Sequence, residues 1–107
     1  MSVLVFTENW DGKFKKLSFE LVSYGAKLAE MLGTTATALS IGNVADDELN
    51  KLGNYGAKKI VNLKNDSLNV LDSQAYTAAI AEIASKEGAK VVVISNNNTG
   101  KSIAPRL

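Results

Sequence analysis

The residues with the clearest chemical pattern are Thr99, Gly100, Lys101 and Ser102, near the end of a chain of 107 residues. They match the closing half of a phosphate-binding P-loop, in which backbone N–H groups and the lysine contact phosphate oxygens. The complete motif has a glycine five residues before Gly100, and Ser95 stands there instead. These residues are therefore incomplete phosphate-loop candidates. The favoured interpretation is a tight turn at Gly100, with Thr99 or Ser102 capping the helix that follows.

Acidic residues suggest two further sites. Asp46, Asp47 and Glu48 are consecutive, so on a helix their side chains point in different directions and do not converge on one metal ion. They are predicted to complement the dipole at a helix start. Glu8 follows the first apolar run and could contact a ligand there, but a single carboxylate is interpreted as a solvated loop residue. Because the chain has neither His nor Cys, no catalytic residue and no metal site are predicted.

An aromatic pair, Trp10 and Phe14, flanks the turn sequence Asp11–Lys13. Stacking on nucleic acid would require a basic groove, and the net charge is only +1. Packing over the sheet edge or against a partner protein is therefore expected, with no nucleic-acid partner. No apolar run approaches the ~20 residues of a membrane span, and no signal peptide opens the sequence. A cytoplasmic protein is the default expectation.

Hydrophobic periodicity places these candidates on alternating strands and helices. Strands are predicted at Val3–Thr7, Thr35–Ile41, Lys58–Leu63 and Val91–Ile94. Helices are predicted from about Lys16 to Leu32, from Ala45 to an end between Gly53 and Gly56, and from Asp72 or Ser73 to about Lys86. This order is typical of an α/β fold in which right-handed crossovers build a parallel sheet.

The pattern also predicts which residues are buried. The β-branched run Val91–Ile94 should be buried on both faces of the sheet, whereas the more polar Lys58–Leu63 should lie nearer its edge. The first helix should bury Leu17, Leu21, Tyr24, Gly25, Leu28 and Leu32, and the third should bury Tyr76, Ala79, Ile80, Ile83 and Ala84. Since Ser102–Leu107 supplies about one turn of a further helix, residues 1–107 are interpreted as one domain that is incomplete at its carboxyl-terminal end.

Four segments carry a resemblance to a known family: Val3–Glu8, Ala26–Ala29, Tyr55–Ile60 and, most specifically, Gly100–Leu107. In the last, glycine, a basic residue and then Ala-Pro-Arg lead into the helix after the fourth strand. Along essentially its whole length, the chain resembles the N-terminal domain of the electron transfer flavoprotein α subunit.

The resemblance implies a three-layer open parallel sheet of Rossmann-like type (adenine nucleotide α-hydrolase-like), truncated after the fourth strand. It implies a heterodimer with a β subunit that carries electrons from flavin dehydrogenases, such as the acyl-CoA dehydrogenases of fatty acid oxidation, to a quinone reductase. FAD would bind to a C-terminal domain that residues 1–107 lack, and AMP or a second FAD would bind to the β subunit. No flavin-binding residue can therefore be placed on this sequence, and the implied role is a non-enzymatic scaffold and subunit contact.

Two other classes remain as alternatives. A stand-alone adenine-nucleotide-binding module of the universal-stress-protein kind would hold its ligand over the loops after the first and fourth strands. It would need more glycine in Ser95–Ser102 than Gly100 alone. A receiver domain is disfavoured, because it needs an acidic pair after the first strand and an aspartate after the third. This chain offers Glu8 and Asn62–Lys64 at those positions.

Overall fold

The computed structural model describes residues 2–10, 12–63 and 73–94. Its strands are β1 (Ser2–Thr7), β2 (Asn9–Trp10), β3 (Lys13–Phe14), β4 (Thr35–Ile41), β5 (Lys59–Leu63) and β6 (Ala89–Val93). Its helices are α1 (Lys16–Met31), α2 (Asp46–Gly53) and α3 (Ser73–Lys86). Among these residues, no helix has the length and apolar character needed to cross a bilayer.

Four of the strands form a parallel sheet in the order β5-β4-β1-β6. β1 pairs with β4 from Ser2 opposite Thr35 to Thr7 opposite Ser40, and it pairs with β6 on its other side. The central position of β1 fits its sequence, since all six of its residues are buried. The predicted edge position of the third main strand is confirmed, because β5 pairs only with β4 among the described strands.

Helices cover both faces of this sheet. Val3 and Val5 pack in one apolar cluster with residues of α1 and α2, whereas Leu4 and Phe6 pack in a second cluster with Ile80 of α3. This alternation follows from the two-residue period of a strand, which sends successive side chains to opposite faces. The predicted three-layer, Rossmann-like α/β architecture is therefore confirmed.

The predicted buried face of α1 is wrong in most positions. The fully buried residues of α1 are Ser18, Val22, Gly25 and Ala29. Among the residues predicted to be buried, Leu17, Tyr24 and Leu32 are exposed, while Leu21 and Leu28 are half-buried at the margin of the core.

Gly25 explains this rotation. A Cβ atom at Gly25 would lie far inside the van der Waals radius of Val5 Cγ2, so the backbone of α1 touches the sheet there. The small residues Ser18 and Ala29 lie on the same side of the helix and permit this approach. Large side chains cannot fit in so narrow a space. They are therefore turned toward the flanks of the helix.

Two further predictions about burial are revised or confirmed in part. Val91–Ile94 was expected to be buried on both faces, but Val91 to Ile94 are half-buried, because β6 pairs only with β1 among the described strands. In α3, Ile80 and Ile83 are buried as predicted, and Ala79 and Ala84 are half-buried; the side chain of Tyr76 lies outside the described part.

Candidate functional site at the carboxyl edge of the sheet

The carboxyl ends of parallel strands meet at one edge of the sheet, where open α/β folds bind ligands. In this protein, a short hairpin formed by β2 and β3 follows β1 directly at this edge. Asn9 pairs with Phe14 and Trp10 pairs with Lys13 in antiparallel register. The sequence predicted a turn at Asp11–Gly12 but no strands, because two-residue strands are too short to show a period.

The side chain of Asn9 connects the hairpin to the end of β4 through a hydrogen bond. Its Nδ2 donates a hydrogen bond to the Ile41 carbonyl oxygen at 2.8 Å, and its Oδ1 accepts one from the Gly12 N–H at 3.2 Å. Gly12 has φ 80°, and a Cβ atom there would lie 2.7 Å from the Asn43 carbonyl oxygen. A glycine is therefore required where the hairpin meets the loop after β4.

The side chain of Glu48 connects the same hairpin to α2 through a hydrogen bond. Its Oε2 accepts a hydrogen bond from the Phe14 N–H at 2.9 Å, and its Oε1 contacts Lys51 Nζ at 2.8 Å. The Lys51 hydrogen bond and then the Phe14 hydrogen bond hold the pKa of Glu48 below its ordinary value, because both favour the ionised carboxylate. Glu48 is thus engaged in holding the hairpin, a role that the sequence did not reveal.

The three consecutive acids form the first turn of α2, as predicted. Ala45 is the N-cap residue and supplies no side-chain hydrogen bond to the helix start. Asp46, Asp47 and Glu48 therefore place negative charge where the helix dipole favours it. Within residues 2–10, 12–63 and 73–94, no group of three or more potential metal-binding side chains occurs.

Phe14 packs into the core and not at the surface. It is 7% exposed, and its ring meets Phe19 edge to face with centroids 6.2 Å apart. Phe19 in turn stacks on Tyr55 at 4.6 Å. The sequence predicted packing over the sheet edge or against a partner protein; Phe14 packs within the molecule, in the core cluster beside the hairpin, and the side chain of Trp10 lies outside the described part.

Glu8 lies at this edge, where the sequence placed it, and is half-buried. Its backbone carbonyl oxygen accepts a hydrogen bond from Ser18 Oγ at 2.8 Å. This bond ties the segment between β1 and the hairpin to the first turn of α1. The described contact at Glu8 is therefore structural.

A row of polar side chains crosses the sheet just below this edge. Thr7, Ser40 and Asn62 are partners in register on β1, β4 and β5, so their side chains share the face covered by α1 and α2. Thr7 Oγ1 donates to the Leu39 carbonyl oxygen at 2.8 Å. Ser40 Oγ and both amide atoms of Asn62 are buried and make no hydrogen bond within the described part. This row was not predicted, although each of its three members is a polar residue near the end of its strand.

The described part of the edge is unsuited to a phosphate. The unpaired atoms belong to a hydroxyl and a carboxamide, and the adjacent helix start carries three acids that would repel an anion. The phosphate-loop candidates Thr99, Gly100, Lys101 and Ser102 lie outside the described residues. Their chemical role remains a sequence prediction.

Comparison with known proteins identifies the family to which this arrangement corresponds. A family model described as electron transfer flavoprotein domain matches residues 3–107. The chain is 30% identical over 104 residues to acryloyl-CoA reductase electron transfer subunit beta of Anaerotignum propionicum, covering 97% of this chain and 28% of the relative. It is 29% identical over 105 residues to electron transfer flavoprotein subunit alpha of Clostridium acetobutylicum, covering 98% and 31%.

A more distant relative is lactate dehydrogenase (NAD(+),ferredoxin) subunit LctC of Acetobacterium woodii, which is 23% identical over 105 residues. The match covers 98% of this chain and 25% of that protein. The chain thus spans less than a third of the length of each of these relatives.

Proposed function

The chain belongs to the electron transfer flavoprotein domain family, and from this we propose that it is the N-terminal scaffold and subunit-contact domain of an electron transfer flavoprotein α subunit. The match over residues 3–107 is the observation that carries the proposal. Relatives named as α subunits align with 98% of this chain, although it covers only about a third of their length. The role of a domain within a larger electron carrier fits both facts.

The described carboxyl edge supports a structural role. A bound FAD would need a cradle for its pyrophosphate, which helix N-termini and glycine-rich loops usually supply. Here the hairpin is bonded across the end of β4, and the start of α2 carries Asp46, Asp47 and Glu48. This part of the chain does not fit a flavin pyrophosphate, so we place FAD on a C-terminal domain outside residues 1–107.

The partner that we propose is an electron transfer flavoprotein β subunit, which would carry AMP or a second FAD. Two relatives are named as subunits, acryloyl-CoA reductase electron transfer subunit beta and lactate dehydrogenase (NAD(+),ferredoxin) subunit LctC, and these names support a place in a multi-subunit assembly. In the complete complex, flavin dehydrogenases would supply electrons and a quinone reductase would accept them. These residues would hold subunits in place and would not themselves react.

The second candidate function, an adenine-nucleotide-binding module, is favoured by one observation. Within the described residues, Ser40 and Asn62 have buried polar atoms without hydrogen-bond partners, beside the edge where such a ligand would sit. A neutral base edge could bond a hydroxyl and a carboxamide, whereas the acids of α2 oppose its phosphates.

Titration with AMP and ATP separates the two functions. Trp10 is the only tryptophan, and its backbone belongs to the hairpin at the edge, so its fluorescence should report a ligand there. We expect no saturable change up to about 1 mM nucleotide, where a functional site would bind with a Kd in the micromolar range. Calorimetry serves as an independent readout.

Saturable micromolar binding would overturn the scaffold role. If that binding were weakened at least tenfold in Ser40→Ala but not in the surface variant Glu82→Gln, the carboxyl edge would be its site.

A further inference from the structure

One side of α1 carries large apolar residues that are exposed in the described part of the fold. Leu17, Tyr24 and Met31 recur every seven residues and are 44%, 62% and 76% exposed. Leu21 and Leu28 are half-buried and lie between them on the same side of the helix. We call these five residues the α1 seam. A surface helix usually presents polar residues to solvent, and contiguous exposed apolar side chains mark an interface.

The spacing of the α1 seam is that of a coiled-coil face. Leu21 and Leu28 occupy one heptad position, and Leu17, Tyr24 and Met31 occupy the other, giving alternating steps of four and three residues. With 16 residues, α1 is about 24 Å long, which is enough for several layers of side chains. The seam is therefore shaped to pack against another helix.

Charged residues beside the seam restrict what that helix can be. Glu20 and Lys27 are exposed, lie seven residues apart, and stand on the same flank of the seam. When two identical helices pack antiparallel about a two-fold axis, each flank faces the same flank of the other copy. Glu20 then lies opposite Lys27 of the second copy, and Lys27 lies opposite its Glu20. Both contacts pair opposite charges.

The same register also places the apolar residues in layers. Leu17 would lie against Leu28 of the second copy, and Leu21 against its Tyr24, with both contacts repeated by symmetry. Val91 and Val93 of β6 are half-buried on the face of the sheet that α1 covers, so additional apolar surface lies on this side of the molecule. The charged pairs and the apolar layers are therefore both satisfied by the same antiparallel arrangement of two α1 helices.

We propose that a second copy of this chain docks antiparallel on the α1 seam, with Glu20 and Lys27 forming two symmetric ion pairs across the contact. The proposal rests on the packing and charges of α1 and does not depend on the family assignment. Failure to bind a β subunit would leave it standing.

Sedimentation of the whole chain tests the proposal. At low salt, where surface charges are least screened, we expect a reversible dimer whose population rises with protein concentration. Glu20→Lys or Lys27→Glu alone would create two like-charge contacts and raise the dimer Kd by about tenfold. The double variant Glu20→Lys/Lys27→Glu restores both pairs, so its Kd should return to within about threefold of the wild type.

Two controls accompany these variants. Glu82→Lys changes a side chain on α3 that is 66% exposed, on the opposite side of the sheet, and should leave the dimer unchanged. Tyr24→Glu places a charge in the middle of the seam at an exposed position, so it should abolish the dimer while circular dichroism remains that of the wild type.

Three results would overturn the proposal: a wild-type chain that stays monomeric at about 0.5 mM, a level at which even weak contacts associate; a double variant as weak as the single ones; or a dimer unaffected by Tyr24→Glu.

Discussion

Glu48 connects two parts of the chain that are 34 residues apart. It belongs to α2, and its carboxylate accepts a hydrogen bond from the Phe14 N–H of the hairpin. The sequence predicted that Glu48 belongs to the acidic first turn of a helix. Its contact with a backbone N–H was not predicted, since nothing local marks which of three neighbouring acids will meet the hairpin. A single side chain that bonds two distant segments, as Glu48 does, helps to hold the hairpin at the carboxyl edge of the sheet.

Glu48 predicts a specific dependence of stability on pH. Because its pKa in the folded chain lies below the ordinary value of 4.5, its contribution to the free energy of unfolding is present above about that pH and is lost as pH falls through the folded-state pKa. Glu48→Gln removes this contribution. We therefore expect the variant to be less stable than the wild type at pH 6 and the difference to shrink toward pH 3.

Urea denaturation across that pH range measures the effect, with Glu82→Gln as the control for an exposed carboxylate. A stability difference between Glu48→Gln and wild type that stays constant from pH 6 to pH 3 would refute the role given to Glu48.

Gly25 gives a second prediction at the scale of one residue. In Gly25→Ala, the new methyl group would overlap Val5 and force α1 away from the sheet, which should lower the free energy of unfolding by about 1–3 kcal/mol. Gly53→Ala is the matched control, because a Cβ atom there meets only Ile60 Cδ1 at 3.9 Å. It should be neutral or stabilise by up to about 1 kcal/mol. Equal effects of the two substitutions on denaturation would contradict this explanation of the rotated helix.

Among the elements, those with a strong period were predicted best. Strands β1, β4, β5 and β6 follow from apolar or β-branched runs, and the three helices lie within a few residues of their predicted bounds. The orientation of α1 was predicted wrongly because the periodicity of large apolar residues was taken to mark the buried face. In the structure, small residues face the sheet, since only they allow the backbone of α1 to approach β1 so closely. The hairpin was missed because its pairing depends on contacts with Ile41 and Glu48 and not on a pattern of its own.

The hairpin should respond as a unit to the loss of Asn9. Asn9→Ala removes its hydrogen bonds to Ile41 and Gly12, so we expect a loss of about 1–2 kcal/mol in the free energy of unfolding. Hydrogen exchange at the Gly12 and Phe14 amides should become faster. Asn50→Ala, an exposed change on α2, should stay within about 0.5 kcal/mol of the wild type. Unchanged exchange at both amides in Asn9→Ala would show that the hairpin is held by other contacts.

At the scale of the whole molecule, the parallel sheet agrees with the predicted strand–helix alternation, whereas the strand order β5-β4-β1-β6 was not predicted. The family resemblance read from Val3–Glu8 and Gly100–Leu107 is confirmed by the match over residues 3–107. The candidate site was less predictable, because hydrogen bonds between distant segments decide whether a sheet edge is open or closed. At the described part of the carboxyl edge, the hairpin is bonded to Ile41 and Glu48, which favours a structural role there.

Complex formation with the β subunit most directly tests the role of a subunit-contact domain. We would mix this chain with the electron transfer flavoprotein β subunit of the same organism and follow both proteins by sedimentation velocity. We expect a 1:1 complex with a Kd of about 10 µM or tighter, the range of a specific interface of ordinary size. Two proteins that still sediment separately at about 100 µM, well above that range, would contradict the proposed role.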